Sequence, residues 1–176
     1  MSYSGLLVEQ GIVKRNAYGL SLVTHQPREV TFGAIITGRF DGKLKTVPIV
    51  DNEIHFQIEA SSASINGEPL LSNEKVILDS GTSLTYLNKG IYTKFFESVK
   101  EAGVKLALVT FNSSDGGKAK FEFHFGGQKI QGNFTEVSVP LPELICCTIY
   151  DMDTLVLGVL EGTGAMGKTN WLGDTF

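Results

Sequence analysis

The sequence predicts an all-β fold with one or more short helices, on three observations. Short apolar-alternating runs recur along the chain, broken by Gly, Pro and Asn. Glycine is abundant, at 20 of 176 residues, as turn-rich sheets require. Only one segment departs from the two-residue period and repeats at three and four.

Taken in order, "YGLSLVTH" alternates and runs into the turn-rich "QPRE". "EVTFGAIITGRFDGKL" reads as strand, glycine-containing turn and strand, and "KTVPIV" as a further short strand. "EIHFQIEASSASING" continues the pattern, and "VILDSGTSLTYL" at 76–87 places an apolar strand before a tight turn. In "NKGIYTKFFESVKEAGVKL" the residues Ile91, Phe95, Val99 and Ala102 share one helical face. Asn88 can cap that helix and Gly103 can end it, so a helix is expected over about Lys89–Ala102. "KFEFHFGGQKI" reads as a hairpin with Phe121, Phe123 and Phe125 on one face and Gly126-Gly127 at the turn. "TLVLGVLE" and "NWLGDTF" close the chain as strands joined by a glycine-rich hairpin turn.

Bulk properties exclude several classes. A length of 176 residues suits a single domain, 1–176, and 42% hydrophobic content can fill a core. A net charge of -4 gives no basic footprint for nucleic acid. No apolar run is long enough for a membrane span, and the first residues lack the pattern of a signal peptide. Cys146 and Cys147 are adjacent and read as small apolar residues in "ELICCTIY". His25, His55 and His124 are scattered, so no metal or cofactor site is expected. Two N-x-[ST] triplets, at Asn112 and Asn133, matter only in a secretory setting.

Two motifs compete for function. "GTGAMGKT" at 162–169 has the G-x-x-x-x-G-K-[ST] spacing of a phosphate loop through Gly162, Gly167, Lys168 and Thr169. Such a loop needs a helix behind it to face the phosphates, and "NWLGDTF" is too short for one. A nucleotide-binding reading is therefore disfavoured. In "VILDSGTS" the strand Val76-Ile77-Leu78 delivers Asp79 into a turn. Gly81 lets backbone N–H groups approach the carboxylate, and the Ser80 and Thr82 hydroxyls can donate to it. Hydrogen bonds to the ionised form favour it, and two carboxylates held together share one proton, able to activate water and protonate a leaving group. An ordinary Asp-Ser-Gly turn is the other reading of these residues.

The flanking sequence resembles the pepsin-like aspartic proteases, in particular the secreted and cell-wall forms of yeasts, and it does so as their C-terminal lobe. "VTFGAIITGRFDGKLKTVPIV" resembles the family's F-G-G-[IV]-D…P-[IV] stretch, and "VILDSGTSLTYL" its second D-[ST]-G-[ST]-[ST] motif followed by a helix. "FEFHFGGQKI…VPLPEL" and "WLGDTF" resemble the later hairpin and the [IL]-L-G-D-x-F element. The resemblance implies one lobe of the bilobal acid-protease barrel, truncated at its C-terminus, and aspartic endopeptidase activity without a cofactor. It implies Asp79 as the second-lobe catalytic aspartate, with Ser80, Gly81, Thr82, Leu172 and Gly173 supporting the loop. Ile77, Thr82 and Ser83 would border the substrate. The implied partners are a peptide or protein substrate and an N-terminal lobe carrying the second Asp; the implied location is extracellular, cell wall or vacuolar. Ala34 and Ile36 depart from the F-G-G-[IV]-D pattern, and the lobe's usual disulfide positions, near Phe111 and Leu155, hold apolar or Thr residues. Only one D-[ST]-G occurs in the chain, so an isolated chain is expected to be inactive; the alternative is a non-catalytic, peptide-binding β module.

Overall fold

The computed structural model describes residues 2–21, 29–40, 42–50, 55–106, 110–140 and 153–173. His25, Asp41, Cys146, Cys147 and Asp174–Phe176 lie outside the described residues. The chain forms two compact units, Met1–Leu44 and Lys45–Phe176.

The first unit opens with helix α1, Tyr3–Glu9, whose N-cap Ser2 accepts a hydrogen bond from the Gly5 N–H. The sequence reading placed no element there, because seven residues with a glycine in the first turn carry almost no periodic signal. Strands β1, Tyr18–Ser21, and β2, Glu29–Phe32, pair antiparallel with Tyr18 opposite Phe32. Beyond β2 the expected strands over 33–50 do not form: the described residues there hold one 3-10 turn, Thr37–Arg39, and irregular chain. Gly33 at φ +71 turns the chain out of the extended form. A Cβ there would also lie 2.5 Å from Val13, so the position needs glycine twice over.

The second unit is built on two sheets. Strands β3, Gln57–Ile65, and β4, Glu68–Leu78, form a long antiparallel hairpin. Its turn is Asn66-Gly67, with φ of 50° and 88°, the left-handed pair that a two-residue hairpin requires. The Asn66 side chain donates to Lys118 O at 3.0 Å and accepts from the Lys120 N–H at 2.8 Å, tying this turn to a segment more than fifty residues on. Next come β5, Thr85–Leu87, helix α2, Lys89–Glu101, strand β6, Thr110–Asn112, and the single turn α3, Ser113–Gly116. Asn88 caps α2 through its side chain, Ile91, Phe95 and Val99 are buried, and Gly103 at φ +81 ends it, as the periodicity predicts.

Strands β7, Lys120–Phe125, and β8, Gln128–Asn133, form the expected hairpin on Gly126-Gly127, both in the left-handed region. Phe121, Phe123 and Phe125 all point inward. Strands β9, Ser138–Pro140, β10, Thr154–Leu157, β11, Val159–Glu161, and β12, Asn170–Leu172, complete the unit. The large sheet runs β11-β5-β12-β4-β3-β7-β8 and the small one β6-β10-β9. The core lies against the large sheet, with Phe134 fully buried and stacked on Phe95 at 5.4 Å. Phe111 and Leu155, expected to stand where a disulfide would, are directly opposite each other across β6 and β10, and both are buried. An apolar pair thus fills that cross-strand position.

"TLVLGVLE" is two strands, not one. At Gly158 the N–H donates to Val137 O and the carbonyl accepts from the Thr85 N–H, so one residue hands the chain from the small sheet to the large. The expected hairpin between this run and "NWLGDTF" is likewise absent, since β11 and β12 lie on opposite sides of β5.

Candidate active site

The candidate site is built where β4 ends. Residue Leu78 is the last in β4, Asp79 follows, and β5 begins at Thr85, so the turn 79–84 joins two strands of the large sheet. Between those strands runs β12, parallel to β4 with Trp171 opposite Ile77 and Leu172 opposite Leu78. The Asp79 N–H donates to Leu172 O at 3.0 Å, which fixes the base of the turn to this wedged strand.

The carboxylate is held at both oxygens. Oδ1 of Asp79 accepts the Gly81 N–H at 3.0 Å, and Oδ2 accepts the Thr82 hydroxyl at 2.6 Å. The Thr82 N–H donates to Asp79 O at 3.2 Å and closes the turn. A Cβ on Gly81 would stand 3.2 Å from Oδ1, tight enough to push the carboxylate aside. Donors aimed at both oxygens fix the carboxylate's plane. Asp79 remains half-exposed, so the group is both oriented and reachable.

Behind the turn the packing leaves no slack. Gly173 is buried, and a Cβ on it would lie 2.4 Å from both Thr82 O and Leu84 O. The Gly173 N–H donates to the Thr85 hydroxyl at 3.2 Å. Leu172 is buried in the core beside it. Asn170, 1% exposed, accepts the Asn88 N–H at 3.0 Å, so one side chain of β12 also fixes the start of α2. On the other face of β12 the Trp171 ring meets His55 edge-on at 4.9 Å, and its buried Nε1 has no hydrogen-bond partner among the described residues.

Of the residues singled out in the sequence, Asp79, Gly81, Thr82, Leu172 and Gly173 come together around one turn. Ser80 and Ser83 are exposed on the same turn, and no hydrogen bond runs from Ser80 to the Asp79 carboxylate. Ile77 is buried at 5% exposure, whereas Leu78 beside it is 42% exposed. Thr85 and Asn170 were not anticipated. Thr85 sits within the quoted motif and was legible as a possible donor or acceptor, whereas nothing around Asn170 marks it. Lys168 belongs to the bends of 164–169, after which the chain enters β12 and no helix. Its loop therefore has no helix N-terminus to offer a phosphate. Among the described residues no three His, Cys, Asp or Glu gather where a metal could be held. No helix among them is long and apolar enough to cross a membrane.

Comparison with known proteins agrees with this geometry. The family model described as "Eukaryotic aspartyl protease" matches residues 1–176. The acid extracellular protease of Yarrowia lipolytica is 32% identical over 99% of this chain and 46% of its own length. Candidapepsin-3 of Candida albicans is 28% identical over 97% of this chain and 42% of its own. The crystal structure of an aspartic proteinase from Irpex lacteus superposes with a TM-score of 0.77, covering 99% of this chain and 55% of that one at 21% identity, and so shares its fold. The chain spans about half the length of the curated relatives it matches. With the loop, the wedged strand and a family match over its full length, the chain belongs to the eukaryotic aspartyl protease family.

Proposed function

We propose that residues 1–176 form one lobe of an acid-acting aspartic endopeptidase, in which Asp79 is the catalytic aspartate. Gly81, Thr82, Leu172 and Gly173 hold its turn, in which Ser80 is an exposed member, and Thr82 and Ser83 border the peptide, with Ile77 in the strand beneath. The observation that carries the reading is the carboxylate of Asp79, half-exposed and fixed at both oxygens by Gly81 and Thr82.

One carboxylate cannot act as acid and base at once, and "DSG" occurs once among the 176 residues. A second lobe bearing another aspartate, on the same polypeptide or a separate one, is therefore required. Across hydrogen-bonding distance the two like charges cannot both form cheaply, so the pair holds one proton over an acidic range. The ionised member draws a proton from a water that attacks the scissile carbonyl, and the protonated member donates to the developing oxyanion or the leaving nitrogen. The site of action is extracellular on this reading; the Yarrowia relative is named an extracellular protease and a Candida albicans relative a secreted one.

The test supplies the N-terminal lobe of a related yeast protease to the purified chain, in trans or fused. Acid-side, pepstatin-sensitive cleavage with a bell-shaped pH profile is expected, absent from the isolated chain. Asp79→Asn should abolish it while leaving the unfolding transition in place, because the amide keeps the shape and cannot take a proton. Thr82→Val should cost less, about 1–3 kcal/mol in transition-state stabilisation. Full turnover with Asn at 79 would remove Asp79 from the mechanism. A completed but inactive site that still binds peptide would leave the non-catalytic module.

A further inference from the structure

The two N-x-[ST] triplets fold into similar turns, yet their amide nitrogens meet different fates. At Asn112, the last residue of β6 and the cap of α3, Oδ1 accepts both the Ser114 N–H at 3.0 Å and the Ser114 hydroxyl at 2.7 Å. All the bonding of this side chain runs through its oxygen, the residue is exposed, and β6 is an outer strand of the small sheet. Nδ2 makes no hydrogen bond among the described residues. A group attached to Nδ2 leaves the cap and the β6–β10 pairing untouched.

Asn133 uses both ends. Its Oδ1 accepts the Thr135 N–H at 3.0 Å and the Thr135 hydroxyl, while its Nδ2 donates to Glu136 Oε1 at 3.1 Å. Its main-chain N–H donates to the other Glu136 oxygen at 3.2 Å, and the residue is half-buried. A substituent on this nitrogen would replace one of its two hydrogens and crowd the Glu136 carboxylate, in a clamp that fixes the end of β8.

We propose that Asn112 is an N-glycan attachment site of this protein and that Asn133 is a structural asparagine left unmodified in the folded, secreted form. The inference rests on the extracellular reading, since the donor is found on the secretory route. In the transfer, Nδ2 of Asn112 forms a bond to the anomeric carbon of an oligosaccharide carried on a lipid pyrophosphate. The carbon–oxygen bond to the pyrophosphate breaks with its electron pair on the leaving group, and the proton lost from the amide ends on that lipid pyrophosphate. No electrons are exchanged with an oxidant. The product keeps one N–H on the asparagine and an intact Oδ1 for Ser114.

The experiment expresses the full chain behind a heterologous secretory leader in yeast and reads each site by peptide mass spectrometry after enzymatic deglycosylation. One glycan is expected, on Asn112. Ser114→Ala, which keeps the backbone cap to Oδ1, should lose that glycan's mass entirely, and Asn133→Gln should leave it in place while lowering the melting temperature. An unmodified Asn112, in cells that glycosylate a control protein, overturns the proposal, as does equal occupancy of Asn133 in the secreted protein. Transfer precedes folding, so Asn112 is read equally well on chains retained inside the cell. The imposed leader keeps the outcome separate from the protease reading: failure of export from the native gene would sink the extracellular assignment without altering the result at Asn112.

Discussion

Replacing Gly173 by alanine probes the wedge behind the Asp79 turn. The added Cβ would sit 2.4 Å from Thr82 O and 2.4 Å from Leu84 O, two backbone oxygens that cannot rotate away as a side chain would. Overpacking of this kind costs about 1–3 kcal/mol. Shifting Gly173 also lengthens its N–H bond to the buried Thr85 hydroxyl, and an unsatisfied buried donor costs about 1–3 kcal/mol more. The total is about 2–6 kcal/mol, a fall in Tm on the order of 10 °C for a chain of this size. The control is Gly117→Ala, where a Cβ meets nothing within 4 Å and φ is -70°. There the same change should be neutral or stabilising by about 0.4–1 kcal/mol through the unfolded chain. Urea unfolding followed by the single tryptophan, Trp171, reports on β12 itself. Hydrogen exchange should show the Asp79, Gly81 and Thr82 amides exchanging faster in Gly173→Ala. If Gly173→Ala unfolds within about 0.5 kcal/mol of the parent, the change is no larger than an ordinary surface substitution and the wedge does not hold the turn.

Other perturbations separate further parts of the account. Asn66→Ala should cost about 2–4 kcal/mol in urea unfolding by losing two bonds and straining φ at +50°, whereas Asn66→Gly loses the bonds alone and should cost less; equal losses would discard the strain argument. The Lys118 ammonium, bonded to Asp115 at 2.5 Å, holds the Asp115 carboxyl below the usual carboxylate range. A folded-state pKa below the unfolded one gives stability that is present at neutral pH and lost as pH falls through that range. Asp115→Asn should therefore lower stability at pH 7 and flatten the acid limb of a Tm-against-pH curve, and an unchanged limb would refute the coupling. Nucleotide titrations should be flat for the parent and for Lys168→Ala alike; saturable binding by the parent that is lost in the variant would revive the phosphate-loop reading.

Much of the site was legible because its signals are local. A strand, an aspartate, a glycine and the Thr82 hydroxyl within "VILDSGTS" hold the carboxylate, and Asn88, Ile91, Phe95, Val99 and Gly103 fix α2 from its own segment. The misses are non-local. Whether 33–50 becomes strand depends on finding a partner edge, which alternation cannot reveal; Gly33 and Pro48 interrupt the run besides. The break of "TLVLGVLE" at Gly158 follows from two sheets competing for one residue's N–H and C=O. That β11 and β12 bracket β5 rather than each other is topology, and a glycine-rich connection fits both arrangements. Asn170 was invisible because its partner, the Asn88 N–H, lies 82 positions away.

The strand that wedges between β4 and β5 also sets a timetable. Gly173 bonds to Thr85 across 88 positions of sequence, and the Asp79 amide waits on Leu172 over a comparable span. At about 5–20 residues per second, a ribosome makes β12 roughly 4–18 s after β5. The hairpin of β3 and β4 and the helix α2 need only near neighbours and can form during that interval. The turn bearing Asp79 cannot be clamped until the later strand inserts. On a nascent chain the Asp79 carboxylate is thus held in its turn only after β12 has been made, well after the strands on either side of it.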